Sequence, residues 1–242
     1  MIIIILGMHR SGTSTVAGVL HLNKVVMGTY QNFWPRPLVQ NPKGFYENYD
    51  FRKINDQLLN NVGYDVKSYK AEIPEPELTD QLNKKMKKLI LYNTKTYTDW
   101  GWKDPRTCLT IPLWSSVFSE LELNNDARII FVSRSAGSTA RSLKKRNDLP
   151  LEDGIELWKI YNQRALKFCE NSKLPTYYCS FEEILKEPTH ICAQLFRFLD
   201  RDWDKSVVDQ FIDSSISTSD LGEEIEYPED ILNLEKKISL LI

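Results

Sequence analysis

Residues 2–14 read Ile-Ile-Ile-Ile-Leu-Gly-Met-His-Arg-Ser-Gly-Thr-Ser, and this stretch decides the fold. Ile2 to Leu6 is a run of mostly β-branched residues with no polar alternation. That is the pattern of a strand buried on both faces in a parallel sheet. Gly7 to Ser14 is rich in Gly, Ser and Thr, and Ser14 to Leu22 then takes up helical character. Glycines let the main chain turn tightly and come close to a ligand. Successive N–H groups then point inward beside the partial positive charge of the helix N-terminus. Strand, loop and helix together predict an anion cradle. The plain alternative is a Gly/Ser turn that only starts a helix.

Outward from this opening, strand-like and helical segments alternate. A helix is expected over 50–61, with Ile54, Leu58 and Leu59 at helical spacing, and a Lys-rich amphipathic helix over 78–97. The run Lys84-Lys85-Met86-Lys87-Lys88 reads as its solvated face. Trp100 to Lys103 is a short strand, Pro112 to Leu123 a helix, and Arg128 to Ser133 a second core strand around Ile129-Ile-Phe-Val132. Helices over 138–146 and 151–170, a β-like run Thr176 to Phe181, and helices over 189–199 and 204–213 follow. After Pro228, the residues Ile231, Leu234, Ile238 and Leu241 recur at helical spacing. This C-terminal stripe, over about 228–242, packs on its own domain or pairs with another chain as a homodimer. The alternation predicts an α/β fold: three layers, α/β/α, around a central parallel sheet, in one domain over 1–242. Asn23 to Phe45 is punctuated by Pro35, Pro37, Pro42 and Gly44, and reads as a loop able to cover a site.

Composition narrows the function classes. The chain has 242 residues, 31 Lys+Arg against 33 Asp+Glu, and a formal charge of −2. That disfavours a strongly basic nucleic-acid binder. Cys108, Cys169, Cys179 and Cys192 form no C-x-x-C, which reads as reduced thiols in a cytoplasmic protein. His9, His21 and His190 lack zinc-site spacing, and no metal is expected. No run of about 18 apolar residues predicts a membrane span. The apolar start lacks a basic segment and is broken at Gly7, unlike a signal peptide.

The loop compares with G-x-x-x-x-G-K-[ST] but departs from it. Thr13 stands where the phosphate-binding Lys would be, and the cation is Arg10 instead. A P-loop kinase also needs an acid at the end of a core strand to hold Mg²⁺. After Val132 the chain offers Ser133-Arg134, a cation in that place. Arg134 and Ser142, the latter on the following helix, could grip a phosphate with a bidentate cation and a hydroxyl. Arg141 and Arg146 add positive potential. Read alone, this segment could equally be a helix with ordinary surface arginines. Two anion sites on one sheet suggest a nucleotide phosphorylated at two places.

Gly7–Ser14 resembles the 5′-phosphosulfate loop of sulfotransferases that use 3′-phosphoadenosine 5′-phosphosulfate (PAPS), in the arginine-containing form of Golgi and bacterial members. Arg134 and Ser142, eight apart after a strand, resemble the family's 3′-phosphate motif. Asn41-Pro-Lys-Gly-Phe-Tyr-Glu-Asn48 and Trp102-Lys-Asp-Pro-Arg106 are similar to segments of bacterial members. Ser180-Phe-Glu-Glu-Ile-Leu-Lys-Glu-Pro188, then Phe196-Arg-Phe-Leu199, resembles a further family segment and its helix. There are departures. The loop has Arg10 where cytosolic members use Lys, no His follows Lys103, the C-terminal Arg-Lys-Gly motif is absent, and Phe181 replaces the usual Tyr near adenine.

The resemblance implies sulfuryl transfer from PAPS to a hydroxyl or amine of a small-molecule or glycan acceptor. The adenosine 3′,5′-bisphosphate (PAP) is released, with no metal, nucleic acid or membrane involved. It implies that His9, Arg10, Ser11, Gly12, Thr13 and Ser14 hold the 5′ end of the donor, and that Arg134, Ser142 and Phe181 hold the rest. Lys103 would contact the transferring sulfuryl, and Arg10 the bridging oxygen. The acceptor must lose a proton to a nearby group. Glu47, after the Pro/Gly loop, is the first candidate; it could instead be a surface acid ahead of Asp50. Asp104 is the second, although it could pair structurally with Arg106, and His9 is the third. Phe33, Trp34, Phe45, Tyr46, Trp158 and Tyr161 are candidate acceptor walls, the last two also readable as core. The rival functions are a P-loop small-molecule or nucleoside kinase and a non-catalytic PAP or PAPS binder.

Overall fold

A computed structural model describes residues 1–29, 41, 43–213 and 226–242 in full and residues 33–34 as main chain. Residues 30–32, 35–40 and 42 of the expected covering loop, with Pro35, Pro37 and Pro42, and the side chains of Phe33 and Trp34 lie outside the described residues.

The centre is a parallel sheet of four strands. These are β1 (Ile2–Leu6), β4 (Trp100–Lys103), β5 (Ala127–Ser133) and β6 (Thr176–Ser180), in the order β4-β1-β5-β6. Two short strands, β2 (Phe33–Trp34) and β3 (Glu47–Asn48), pair antiparallel outside it. The isoleucine run works on both faces. Ile2, Ile4 and Leu6 enter one core and Ile3 and Ile5 the other, all at most 1% exposed. β5 alternates in register with it, Ile129 and Phe131 against Ile130 and Val132. An apolar run without polar alternation is thus a strand with two wet-free faces.

On one face lie α2 (Tyr49–Asn60), α3 (Asp80–Thr96), α4 (Thr107–Glu120), α5 (Ala136–Asn147), α6 (Leu151–Asn171) and α10 (Glu229–Ser239). The other face carries α1 (Thr13–Leu22), α7 (Phe181–Lys186), α8 (Pro188–Leu199) and α9 (Lys205–Phe211). The larger core is anchored by aromatic packing, with Phe51 stacked on Trp102 at 4.4 Å between ring centroids and Trp114 within 5.2 Å of Trp102. The C-terminal stripe packs inward through Ile231, Leu234 and Ile238, while Leu241 stays exposed.

Two expectations need correction. α4 starts five residues before Pro112, which sits inside it. Its entry is made by a tight turn in which Thr107 N–H bonds to the Asp104 carbonyl and Arg106 N–H to the Asp104 side chain. Phe181 ends no strand; it begins the short helix α7, capped by the Ser180 hydroxyl on Glu183 N–H. Trp158 and Tyr161, each 1% exposed, belong to the core, as their spacing on one helix favours.

Candidate active site

Because all four strands are parallel, their C-terminal ends share one edge of the sheet. Ligands in open α/β sheets bind outside that edge. The edge carries the Gly7–Ser14 loop after β1, Lys103 at the end of β4, Arg134 after β5 and Phe181 after β6. The sequence-predicted residues therefore converge, and the strand order places the loop between Lys103 and Arg134.

The loop is built by close approach. A Cβ on Gly7 would lie 2.5 Å from the Val132 carbonyl oxygen and from Thr13 Cγ2. Gly12 has φ of 81° and would drive a Cβ to 2.0 Å from the Phe181 ring. Arg10, with φ of 68°, holds the left-handed region without being glycine, at a cost of about 1 kcal/mol. Such strain collects where function demands a geometry. Gly12 caps α1 with no side chain, so the amides that open the helix are left for a ligand. Thr13 is 4% exposed, Ser14 is half-buried, and the Ser11 hydroxyl is buried with no partner among the described residues. A cradle of open amides with a stranded hydroxyl fits an oxyanion.

The cations are already crowded. Arg10 Nε donates to the Ser142 hydroxyl at 2.8 Å, and Arg134 Nη1 donates to the Arg10 carbonyl at 3.0 Å. Burial, reinforced by Arg146 and Arg134, pulls the Arg10 guanidinium down to about 10. Burial lowers Arg134 too, with Glu182 opposing and Arg141 adding to the effect. Phe181 is wedged between Gly12 and Arg134, its ring centroid 5.2 Å from the Arg134 guanidinium carbon. An anion entering here would relieve charges held partly out of water.

Lys103 and Glu47 meet below the loop. Lys103 Nζ lies 2.8 Å from Glu47 Oε1, and both residues are buried. Phe45 packs beside them, 5.9 Å from the Lys103 ammonium and 5.8 Å from the Arg146 guanidinium. Tyr46 turns away onto His21 and Phe211. β3 brings Glu47 in by pairing with β2, a hairpin that nothing in the local sequence announces.

Asp104 is engaged in a buried ion pair with Arg106. It is fully buried, 2.7 Å from Arg106 Nη1 and 2.9 Å from Asn55 Nδ2. Burial alone would raise its carboxyl, yet Arg106 and Asn55 hold it below the usual range. Asn55 was missed in the sequence. It ties α2 to α4 by accepting from Thr110 and Trp114, both at 2.8 Å. The signal was available, since an asparagine stands within the apolar stripe of Ile54, Leu58 and Leu59. His9 packs edge-on against Tyr161 and Tyr69, with Nε2 buried and without a hydrogen-bond partner among the described residues. Burial first, then Arg106, pushes its imidazole down to about 3, so it is neutral near pH 7.

Comparison with known proteins follows the same lines. A family model described as the sulfotransferase family matches residues 3–205. No curated protein matches the chain. Among solved structures, the sulfotransferase domain from the curacin biosynthetic pathway is 17% identical with a TM-score of 0.59, covering 98% of this chain and 96% of that one. The sulfotransferase domain of the Synechococcus PCC 7002 olefin synthase is 15% identical with a TM-score of 0.62, covering 98% and 94%. Sulfotransferase STF9 from Mycobacterium avium is 13% identical with a TM-score of 0.53, covering 99% and 74%. At these identities the structures share the fold with this chain.

Proposed function

Since this chain belongs to the sulfotransferase family, we propose that it transfers a sulfuryl group from PAPS to a hydroxyl or amine acceptor and releases PAP. The observation that carries the reading is the arrangement at the strand ends. Lys103, Arg10 and Arg134 stand around the open α1 N-terminus, and Glu47 sits against Lys103. The donor supplies an activated sulfuryl group; the protein supplies charge and position.

Open amides at Thr13 and Ser14 hold the 5′-phosphate. Arg10 neutralises charge that grows on the phosphate oxygen as its bond to sulfur breaks. Lys103 steadies the sulfuryl oxygens. Glu47 accepts the acceptor's proton as the new S–O or S–N bond forms. In the free protein Glu47 and Lys103 neutralise each other, so a donor that engages Lys103 leaves the carboxylate available as a base. Arg134 and Ser142 bind the 3′-phosphate, and Phe181 offers a ring face to the adenine. With Arg134 in the place of a metal-binding acid, charge compensation falls to arginine and lysine, and the reaction runs without a divalent ion.

Calorimetry with PAP, adenosine 5′-phosphate and ATP–Mg²⁺ tests the reading, together with transfer of labelled sulfate from PAPS to a panel of alcohols, phenols, amines and sugars. PAP binds far more tightly than adenosine 5′-phosphate, and Arg134→Ala erases the difference. Tight ATP–Mg²⁺ binding with turnover would instead establish a kinase. PAP binding without transfer to any acceptor would establish a binding protein.

A further inference from the structure

Recognition of a 3′-phosphate turns on Arg134, and three elements fix its main chain. Trp158 of α6 donates from Nε1 to the Arg134 carbonyl at 2.8 Å. The next amide, Ser135, donates to Glu182 Oε1 at 3.1 Å. The one after, Ala136, donates to Glu235 Oε1 of α10 at 2.6 Å. Glu235 lies beyond residue 205, where the family match ends.

Helix α10 is firmly seated for this purpose. Ile231, Leu234 and Ile238 are buried, and Lys159–Asp230 at 3.0 Å and Lys237–Glu170 at 2.7 Å bind it to α6. The first amides of a helix have no intrahelical partners, and a negative group there is stabilising. At the start of α5 the chain fills such amides itself: Glu182 accepts from Ser135, Glu235 from Ala136, and the Ser135 hydroxyl from Ser138. Anion recognition at this turn then falls to side chains, the Arg134 guanidinium and the Ser142 hydroxyl foremost. Glu182 acts on the Arg134 guanidinium as well as on the Ser135 amide, whereas the contact from Glu235 is to the main chain.

We propose that Glu235 is a positioning residue of the donor site. It clamps the turn between β5 and α5 so that Arg134 and Ser142 meet a 3′-phosphate together. The C-terminal helix is thereby a working part of nucleotide recognition. This rests on the donor reading above.

The test is calorimetry of PAP against adenosine 5′-phosphate, with folding checked by circular dichroism at the assay temperature. Glu235→Ala weakens PAP about tenfold, the size of a lost helix cap, and leaves adenosine 5′-phosphate within about twofold. Glu235→Gln still offers an oxygen to Ala136 and stays within about threefold of the parent. Glu235→Asp keeps the charge, draws the carboxylate one methylene back from the Ala136 N–H and weakens PAP about threefold; it decides the matter if Glu235→Ala does not fold. Unchanged PAP affinity, or equal weakening of both nucleotides, overturns the positioning role while the parent's discrimination stands. A parent protein that does not tell PAP from adenosine 5′-phosphate overturns the donor reading, and this role with it.

Discussion

Arg10 and Ser142, 132 residues apart in sequence, share a hydrogen bond of 2.8 Å. The two anion-binding segments are therefore one assembly before any ligand arrives. Ser142 accepts from the Arg10 guanidinium and keeps its own proton to donate. Ser142→Ala removes that donor and frees Arg10 Nε. PAP affinity falls about tenfold, as for one hydrogen bond to a charged group, while adenosine 5′-phosphate is held nearly as before. Calorimetry of the two nucleotides reads this directly, and equal losses for both would show that Ser142 only supports the fold.

Glu47→Ala separates chemistry from binding. Removing the base cuts kcat by about 10²–10⁴. PAP affinity holds or rises, because the buried Lys103 ammonium is left with no carboxylate 2.8 Å away and gains more from an incoming anion. Single-turnover sulfate transfer alongside PAP titration makes the comparison. Collapsed donor affinity with normal turnover would remove Glu47 from the role of base.

Asp104 should behave as a structural residue. It is completely shielded and pairs with Arg106, which also reaches Asp56 at 2.7 Å. Asp104→Ala leaves a buried guanidinium short of a partner and costs about 3 kcal/mol of stability. Urea unfolding measures that loss. A variant of parental stability whose turnover is nevertheless abolished would make Asp104 the proton acceptor instead of Glu47.

What the sequence revealed and what it hid divide along contact distance. The Ile2–Leu6 run, the loop after it and the Arg134–Ser142 pair are local patterns, set by side-chain period and by strand-to-helix turns. The strands and helices that carry them lie within two residues of where the sequence puts them. The start of α4 did not, because Pro112 looks like a helix opener when the turn made by the Asp104 side chain is out of view. Trp158 and Tyr161, three apart on one helix, read more readily as core than as pocket, yet nothing local shows that the Trp158 indole N–H donates to the Arg134 carbonyl. Glu47 is singled out by the Pro/Gly loop before it and by resemblance, but its contact Lys103 lies 56 residues on, and no periodicity joins them. Glu235 is more distant still, one acid on an amphipathic helix whose target amide is 99 residues earlier.

His9 offers a test through pH. Its imidazole is held at about 3 in the folded protein against an ordinary value of 6.5, chiefly by burial. Between those values the unfolded chain binds the extra proton, so stability falls as pH drops below 6.5. The slope from this one group is at most about 1.4 kcal/mol per pH unit. His9→Asn removes that slope. Melting temperatures of the parent therefore fall more steeply from pH 7.5 to pH 5.0 than those of the variant, a window lying above most carboxylate titrations. Parallel lines for the two proteins would mean that His9 protonates as freely folded as unfolded. The same reasoning bears on catalysis. An imidazole neutral throughout this range gives no histidine limb to kcat near pH 6.5, so such a limb abolished by His9→Asn would move the base from Glu47 to the loop.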